Sequence, residues 1–504
     1  MELELQHQTL EGYRTILDAP LAQEETLECI VPDALPDASR IVCAVGRAFL
    51  RGRQVSAGSV RLSGTARVTV LYIPEGQDVP VAMDTELPFQ CVRDDPKVQE
   101  GCLVHAQAGV TQADAQALNP RKLLIRVGLA FQVQVYQREL REITCDAGEG
   151  GQAGLEKQLT QAVDHVVAQV LEKPFLFSDV LRPPASRPEL ESLLCCRPQL
   201  GPVEGKAIGK KLICKGEIHL AVLYLSGGAI CTQGFDLPFS QIFDLELPTE
   251  DAMPQLCVAL GNVQCALQEG ELAVSVEAVA QAVLWVQQPV TLMSDAYCTG
   301  CPLDVERGPL TLCARAEQGE RRESARQFCE SGIPARQVLD CSACVESREE
   351  QWENGVLCAR VQLRLQVLYL SEDGAPCAVS YAMPGACEIP VPEGEVCRWQ
   401  CVPVGEVSAV PVTGGLEVRC ELEFCWQLTR QERISCVLSM KPGAVAAAQL
   451  PRPSLTIRMV GAGDTLWEIA KSCGSTIQDI RAANDLTSET VEGGTLLLVP
   501  IHRT

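Results

Sequence analysis

Cysteine and histidine are the residues of this 504-residue chain with most scope for chemistry, at 26 and five copies respectively. Two cysteine pairs, Cys298-x-x-Cys301 and Cys341-x-x-Cys344, have the spacing of metal ligands. Cys313 and Cys329 are strewn between them, in a stretch unlike a compact ribbon. A zinc site therefore competes with a plainer reading, thiols that act as small buried hydrophobes. Cys43 within Ile41–Val45, Cys214 after Leu212-Ile213, Cys358 after Val356-Leu357 and Cys425 between Phe424 and Trp426 all suit the plainer one. His7, His105, His165, His219 and His502 are scattered, and His219 falls on the polar face of an alternating run. Glu24-Glu25 and Asp94-Asp95 are adjacent only in sequence, whereas general acid–base work needs carboxylates set across a cleft. There is no Gly-x-Ser-x-Gly elbow, phosphate loop or His-Glu-x-x-His. The expectation is a non-enzyme with no catalytic residue, no cofactor and no metal.

The elements that would position these side chains are β-strands arranged in repeats. Gly64-Thr-Ala-Arg-Val-Thr-Val-Leu-Tyr72 matches Gly216-Glu-Ile-His-Leu-Ala-Val-Leu-Tyr224 and Val361-Gln-Leu-Arg-Leu-Gln-Val-Leu-Tyr369. The spacing, about 150 residues, is that of domains rather than of a solenoid. A turn follows each Leu-Tyr, then an apolar stretch ending at Leu87-Pro-Phe89, Leu237-Pro-Phe239 and Ala382-Met-Pro384. A second alternating run follows, at Leu123–Tyr136, Leu272–Trp285 and Leu416–Leu428. In the last, Val418, Cys420, Leu422, Phe424, Trp426 and Leu428 share one face, opposite Arg419, Glu421, Glu423 and Gln427. Period-2 alternation with one apolar face predicts antiparallel sheet. The expected organisation is an N-terminal segment (1–24), three β-rich sandwich-like units at 25–140, 175–290 and 335–440, a Pro/Ala linker at 441–453 and a small domain at 454–504. Leu155–Leu171 fits either a helix or an edge strand, and Glu320–Gln327 reads as a solvated helix or loop.

Bulk composition narrows the function classes. Apolar content of 46% supports globular folding, and a net charge of −23 opposes binding to phosphate backbones. No apolar run approaches the roughly 18–20 residues of a transmembrane helix. The opening Met-Glu-Leu-Glu-Leu-Gln-His lacks a basic-then-apolar signal pattern, so the expected compartment is a reducing cytoplasm.

The last 51 residues are the densest in information. Leu455, Ile457 and Met459 alternate along a predicted strand. Asp464 or Thr465 can cap a helix carrying Leu466, Ile469 and Ala470 at i, i+3, i+4 spacing. A second helix from about Thr476 carries Ile477, Ile480 and Ala483, stops at Asn484-Asp485, and leads through Gly493-Gly494 to a strand closed by Pro500.

This βααβ series, with Gly-Asp-Thr-Leu-Trp-x-Ile-Ala and Ala-Asn-x-Leu, resembles a LysM domain. Gln23-Glu-Glu-Thr-Leu-Glu-Cys-Ile-Val-Pro-Asp-Ala-Leu-Pro-Asp37 and the Val-Leu-Tyr strand resemble the SPOCS domain of spore-coat proteins. Repeated SPOCS units ending in LysM imply a coat-assembly role in the mother-cell cytoplasm at the forespore surface. The partner implied is the spore-coat morphogenetic ATPase of the stage IV protein A type, with other coat proteins. LysM domains that bind N-acetylglucosamine polymers use a groove between two loops. The resemblance places those loops at Gly463, Asp464, Thr465 and Leu466 and at Asn484, Asp485, Leu486 and Thr487. That surface serves either a protein partner or peptidoglycan.

Overall fold

The computed structural model describes residues 4–148, 154–246, 252–443 and 453–501. The alternating runs form strands, and the chain is mainly β. In the first unit a long strand, β1 (Leu5–Ile30), precedes a meander of β2 (Ala38–Ser56), β3 (Ser59–Pro74) and β4 (Val81–Asp94). Then come β5 (Leu103–Asn119) and a second long strand, β6 (Lys122–Ala147). The meander is one antiparallel sheet, and β6 joins β1 and β5 in another, a six-stranded sheet that continues through β1 into the second unit. Apolar faces close between them, with Val68, Tyr72, Leu87 and Phe89 against Ile125, Leu129 and Val133. Each unit is thus a small two-sheet sandwich.

The same order returns twice. The second unit is β7 (Leu155–Leu181), β8 (Ser192–Ile208), β9 (Lys211–Ser226), β10 (Ala229–Asp244), β11 (Met253–Gln268) and β12 (Glu271–Cys298). The third is β13 (Leu303–Glu330), β14 (Ala335–Glu353), β15 (Val356–Ser371), β16 (Pro376–Pro390), β17 (Glu395–Val412) and β18 (Gly415–Pro442). The repeated tyrosine explains itself. The hydroxyls of Tyr72, Tyr224 and Tyr369 donate to the carbonyls of Pro36 (2.8 Å), Pro188 (3.1 Å) and Ile333 (3.2 Å), each 36 positions earlier. One buried hydroxyl ties the central meander strand to the loop that enters the meander.

Register explains the one mismatch in the repeated motif. Gly64 and Gly216 lie opposite Phe89 and Phe239, whose rings fill the space a Cβ would need, at 2.5 and 2.6 Å. The third unit inverts the pair: Val361 lies opposite Gly385, and Leu422 fills the gap. Met383-Pro384-Gly385 therefore corresponds to Leu87-Pro-Phe89, one residue later than the sequence alignment placed it.

Other sequence expectations change. The boundaries at 25 and 175 fall inside β1 and β7, those at 140 and 290 inside β6 and β12, and the third unit begins at β13, before residue 335. The outer halves of the long strands alternate weakly, so they gave little strand signal. Leu155–Leu171 is strand β7, and Glu320–Gln327 is strand rather than helix or loop. The polar stretch of β13 holds its place by charges across the ladder, with Arg322–Glu423 at 2.9 Å and Arg326–Glu417 at 2.6 Å. Of the linker, residues 444–452 lie outside the described residues.

The three sandwiches fuse around a shared axis. At one end Cys43 and Leu71, Leu194, Cys195 and Leu223, and Leu339, Leu368 and Leu370 form a plug with members from every unit. At the other end Leu10 and Ile143 meet Val290, Leu292, Leu312 and Cys436. Beside this second plug is Asp164 of β7, which is 1% exposed. It pairs with Arg141 of β6 and accepts from the amide of Cys313 on β13 at 2.7 Å. Arg141 also donates to the Thr311 carbonyl at 2.8 Å. One carboxylate thus engages all three units. Further links run around the ring: Arg53 to Glu172, Arg197 to Asp340, and Gln366 to the Ala44 carbonyl at 3.1 Å.

Candidate functional site

The C-terminal domain is built from β19 (Leu455–Met459), α1 (Leu466–Cys473), α2 (Ile477–Ala483) and β20 (Leu496–Pro500). Gly463, with φ of 89°, makes the turn that admits the helix. Thr465 then caps α1 in a reciprocal box with Glu468, at 3.2 Å in both directions. Gly474 ends α1 in the left-handed region, and Thr476 caps α2. Leu466, Ile469, Ala470 and Ile480 pack with Val460, Leu497 and Val499 in the domain core.

The expected groove residues have unequal freedom. Leu466 belongs to the core, and Leu486 packs against it. Asn484 is a structural bracket: its amide donates to the carbonyls of Ile480 and Leu498 and accepts from the Leu498 amide, all at 2.7 Å. Asp464 turns back on its own loop, accepting from the Gly461 amide at 3.0 Å with Arg458 at 3.7 Å. Arg481 donates to the Thr487 carbonyl at 3.1 Å. Gly463, Thr465, Asp485 and Thr487 are exposed, and nothing lies within 4 Å of where a Gly463 Cβ would stand.

The sheet holds a reversal of expectation. Leu455, Ile457 and Met459 point out of the domain, while Thr456 and Arg458 point in; Arg458 reaches the Ser472 hydroxyl at 2.9 Å. Ile457 pairs with exposed Leu498, and Met459 with exposed Leu496. The outer face of this two-stranded ribbon is apolar and uncovered among the described residues.

Trp467 occupies a place that sequence reasoning missed. Its ring meets Tyr297 of β12 edge-to-face at 4.9 Å, and its indole N–H donates to Asp295 at 2.8 Å. Lys471 donates to both Asp295 oxygens at 2.7 Å, and the Tyr297 hydroxyl donates to the Ser475 carbonyl at 2.9 Å. Burial pushes the Asp295 carboxyl up. The bonds from Lys471 and Trp467, with the lysine charge, outweigh it and hold the carboxyl below its usual range. The domain is seated on the second sandwich by its α1 helix, leaving its ribbon outward. The aspartate and tyrosine near the end of a long strand were a signal only once α1 was known to face them.

Residues 459–500 match the family model of the LysM domain. No curated protein and no solved structure matches the chain. The LysM match confirms the C-terminal resemblance and covers a small part of the chain.

The other candidate chemistry resolves into structure. Cys341 lies in the third core, where burial pushes its thiol to about 12. Cys344 is pushed to about 11, with its sulfur 3.1 Å from the Thr111 carbonyl. Among the described residues no three His, Cys, Asp or Glu side chains gather as metal ligands. His219 is on an outer face, 2.7 Å from Asp236. His105 is buried against Tyr136, and His165 is 3.0 Å from the Cys313 carbonyl. Glu24 and Glu25 follow one another along β1, and Asp95 caps a turn through the Lys97 amide at 2.9 Å. His502 lies outside the described residues.

Proposed function

We propose that this protein is a non-enzymatic scaffold of endospore coat assembly, of the SipL type, whose LysM domain docks a protein partner. The observation that carries this reading is the outward apolar ribbon of Leu455, Ile457, Met459, Leu496 and Leu498 on a domain seated by its opposite side. An apolar face of that kind suits a protein surface better than a hydrated sugar polymer. The resemblance supplies the partner, the coat-basement ATPase of the stage IV protein A type. The SPOCS-like sandwiches act as the rigid platform in the mother-cell cytoplasm at the forespore surface. No cofactor is required. Capture from sporulating cells tests the reading: full-length chain recovers the ATPase, and a chain lacking 454–504 does not. Recovery of equal amounts by both chains refutes it.

A second reading is favoured by the exposed loop residues Gly463, Thr465, Asp485 and Thr487, whose polar groups can hydrogen-bond the acetamido groups of peptidoglycan. Calorimetry of the full chain with N-acetylglucosamine oligomers separates the two. The scaffold reading expects no saturable heat.

A further inference from the structure

Between the two apolar plugs the three sandwiches line a cavity of about 920 Å³ that is partly open to solvent. Its position follows the strands: on β2, Cys43 belongs to a plug and Ala44 to Arg47 line the cavity. On β6, Tyr136 lines it and Ile143 joins the opposite plug. All three units contribute to the wall, and the volume is that of a small-molecule site.

Two properties of the wall mark it as more than a packing defect. It is aromatic: Trp285, Trp399 and Trp426, three of the chain's five tryptophans, line it together with Tyr136. Residues of the wall also carry polar atoms that find no partner, each sealed inside the wall rather than open to the cavity. Arg47 Nη1, Trp285 Nε1 and Gln427 Nε2 are buried without a hydrogen bond, and all three are donors. Trp285 and Gln427 are 9% and 8% exposed. Each such donor is destabilising by roughly 1–3 kcal/mol until an acceptor meets it.

Charge points the same way. Five arginines line the cavity. Arg197 and Arg364 are held by Asp340 and Glu346, and Arg398 is 3.9 Å from Asp18. Among the described residues Arg47 and Arg348 form no ion pair; Arg47 is half-buried on β2 and Arg348 is exposed on β14. Of the lining carboxylates, Asp18 accepts from Gln132 at 2.7 Å, Asp114 from Gln112, and Glu423 from Arg322 at 2.9 Å; Glu320 is the remaining one. Two guanidiniums without an ion pair between flat aromatic walls ask for a ligand with acceptors and a flat body.

We propose that the axial cavity binds a small organic anion of the aromatic carboxylate or sulfonate class, held by Arg47 and Arg348 and flanked by the tryptophans. The experiment titrates the full chain with 8-anilinonaphthalene-1-sulfonate, reading energy transfer from tryptophan. One site per chain is expected. Arg348→Gln weakens binding at least tenfold, and Trp285→Phe at least threefold. The double variant Ile457→Thr, Leu498→Thr, which alters the only other apolar surface invoked above, leaves the affinity unchanged. N-phenyl-1-naphthylamine, the same rings without the sulfonate, binds at least tenfold more weakly to the unaltered chain, so the charge requirement is tested even if a variant fails to fold. No saturable binding, equal affinity for the two dyes, undiminished affinity in a folded Arg348→Gln chain, or loss of binding in the ribbon variant each overturns the proposal.

Discussion

Two buried aspartates hold this molecule together, and they do different work. Asp164 binds Arg141 and a backbone amide of the third unit, and an apolar plug from all three units flanks it. Asp295 binds Trp467 and Lys471 of the LysM domain, with Arg307 of β13 at 3.8 Å, and its neighbour Tyr297 packs into the LysM core. The first ties the three sandwiches into one body. The second chiefly seats a domain upon that body. A fused body with a separately seated domain is what the proposed scaffold role requires.

Substitution of each aspartate tests that asymmetry. Asp164→Ala removes the pair with Arg141, leaves the Cys313 amide without its acceptor, and lowers the unfolding free energy of the body by roughly 1–3 kcal/mol in denaturant titration. Asp295→Ala leaves that transition in place and instead frees the LysM domain, read as a red shift of Trp467 emission and cleavage of the chain near residue 450. If both substitutions lower the main transition equally, the distinction fails.

Acid sharpens the comparison. Burial draws His105, in β5 of the body, down to about 4. A depressed histidine favours the folded state while neutral, so its contribution is complete above the unfolded value of about 6.5 and drains away as pH falls toward 4. The loss is on the order of 2–3 kcal/mol and is absent in His105→Gln. The depressed Asp295 carboxyl acts at lower pH. Its contribution is present above the unfolded value of about 3.9 and is lost as pH falls through the lower folded value. The body therefore weakens before the seat releases, as thermal melts monitored by tryptophan emission across this range will show.

Smaller effects probe the body's own packing. Gly64→Val forces a Cβ to within 2.2 Å of the Phe49 carbonyl and costs roughly 1–3 kcal/mol by overpacking. Thiol reactivity gives the least energetic test. Burial pushes Cys341 and Cys401 to about 12, whereas a hydrogen bond from Cys196 and the Arg47 charge pull Cys265 down. Iodoacetamide labelling of the native chain, mapped by mass spectrometry, is expected at Cys265 well before those two.

Much of this was legible in the sequence, for identifiable reasons. Period-2 runs such as Val418–Leu428 announced strands, because one face meets the core. The repeated tyrosine announced the units, because each closes the same loop. Alternation distinguishes two faces but not what the polar one meets. Gln427 sat with Arg419 and Glu423 on the polar face, yet it is buried against the axial cavity. In the LysM domain the pattern inverted: Leu455, Ile457 and Met459 look like core residues and face outward. The cap at Thr465 and the turn at Gly463 were legible as such, but Asn484 is occupied by β20 and Leu466 by the core. Sequence showed which residues belong together locally. It could not show that three sandwiches share an axis or that Trp467 rests on Asp295.

The most direct test of the docking claim is a surface titration of the immobilised full chain with the purified coat ATPase, in parallel with N-acetylglucosamine hexamer. The account predicts saturable binding of the ATPase, reduced at least tenfold by Ile457→Thr with Leu498→Thr, and no saturable sugar response. Saturable sugar binding with no ATPase response, or ATPase binding indifferent to the ribbon substitutions, contradicts it.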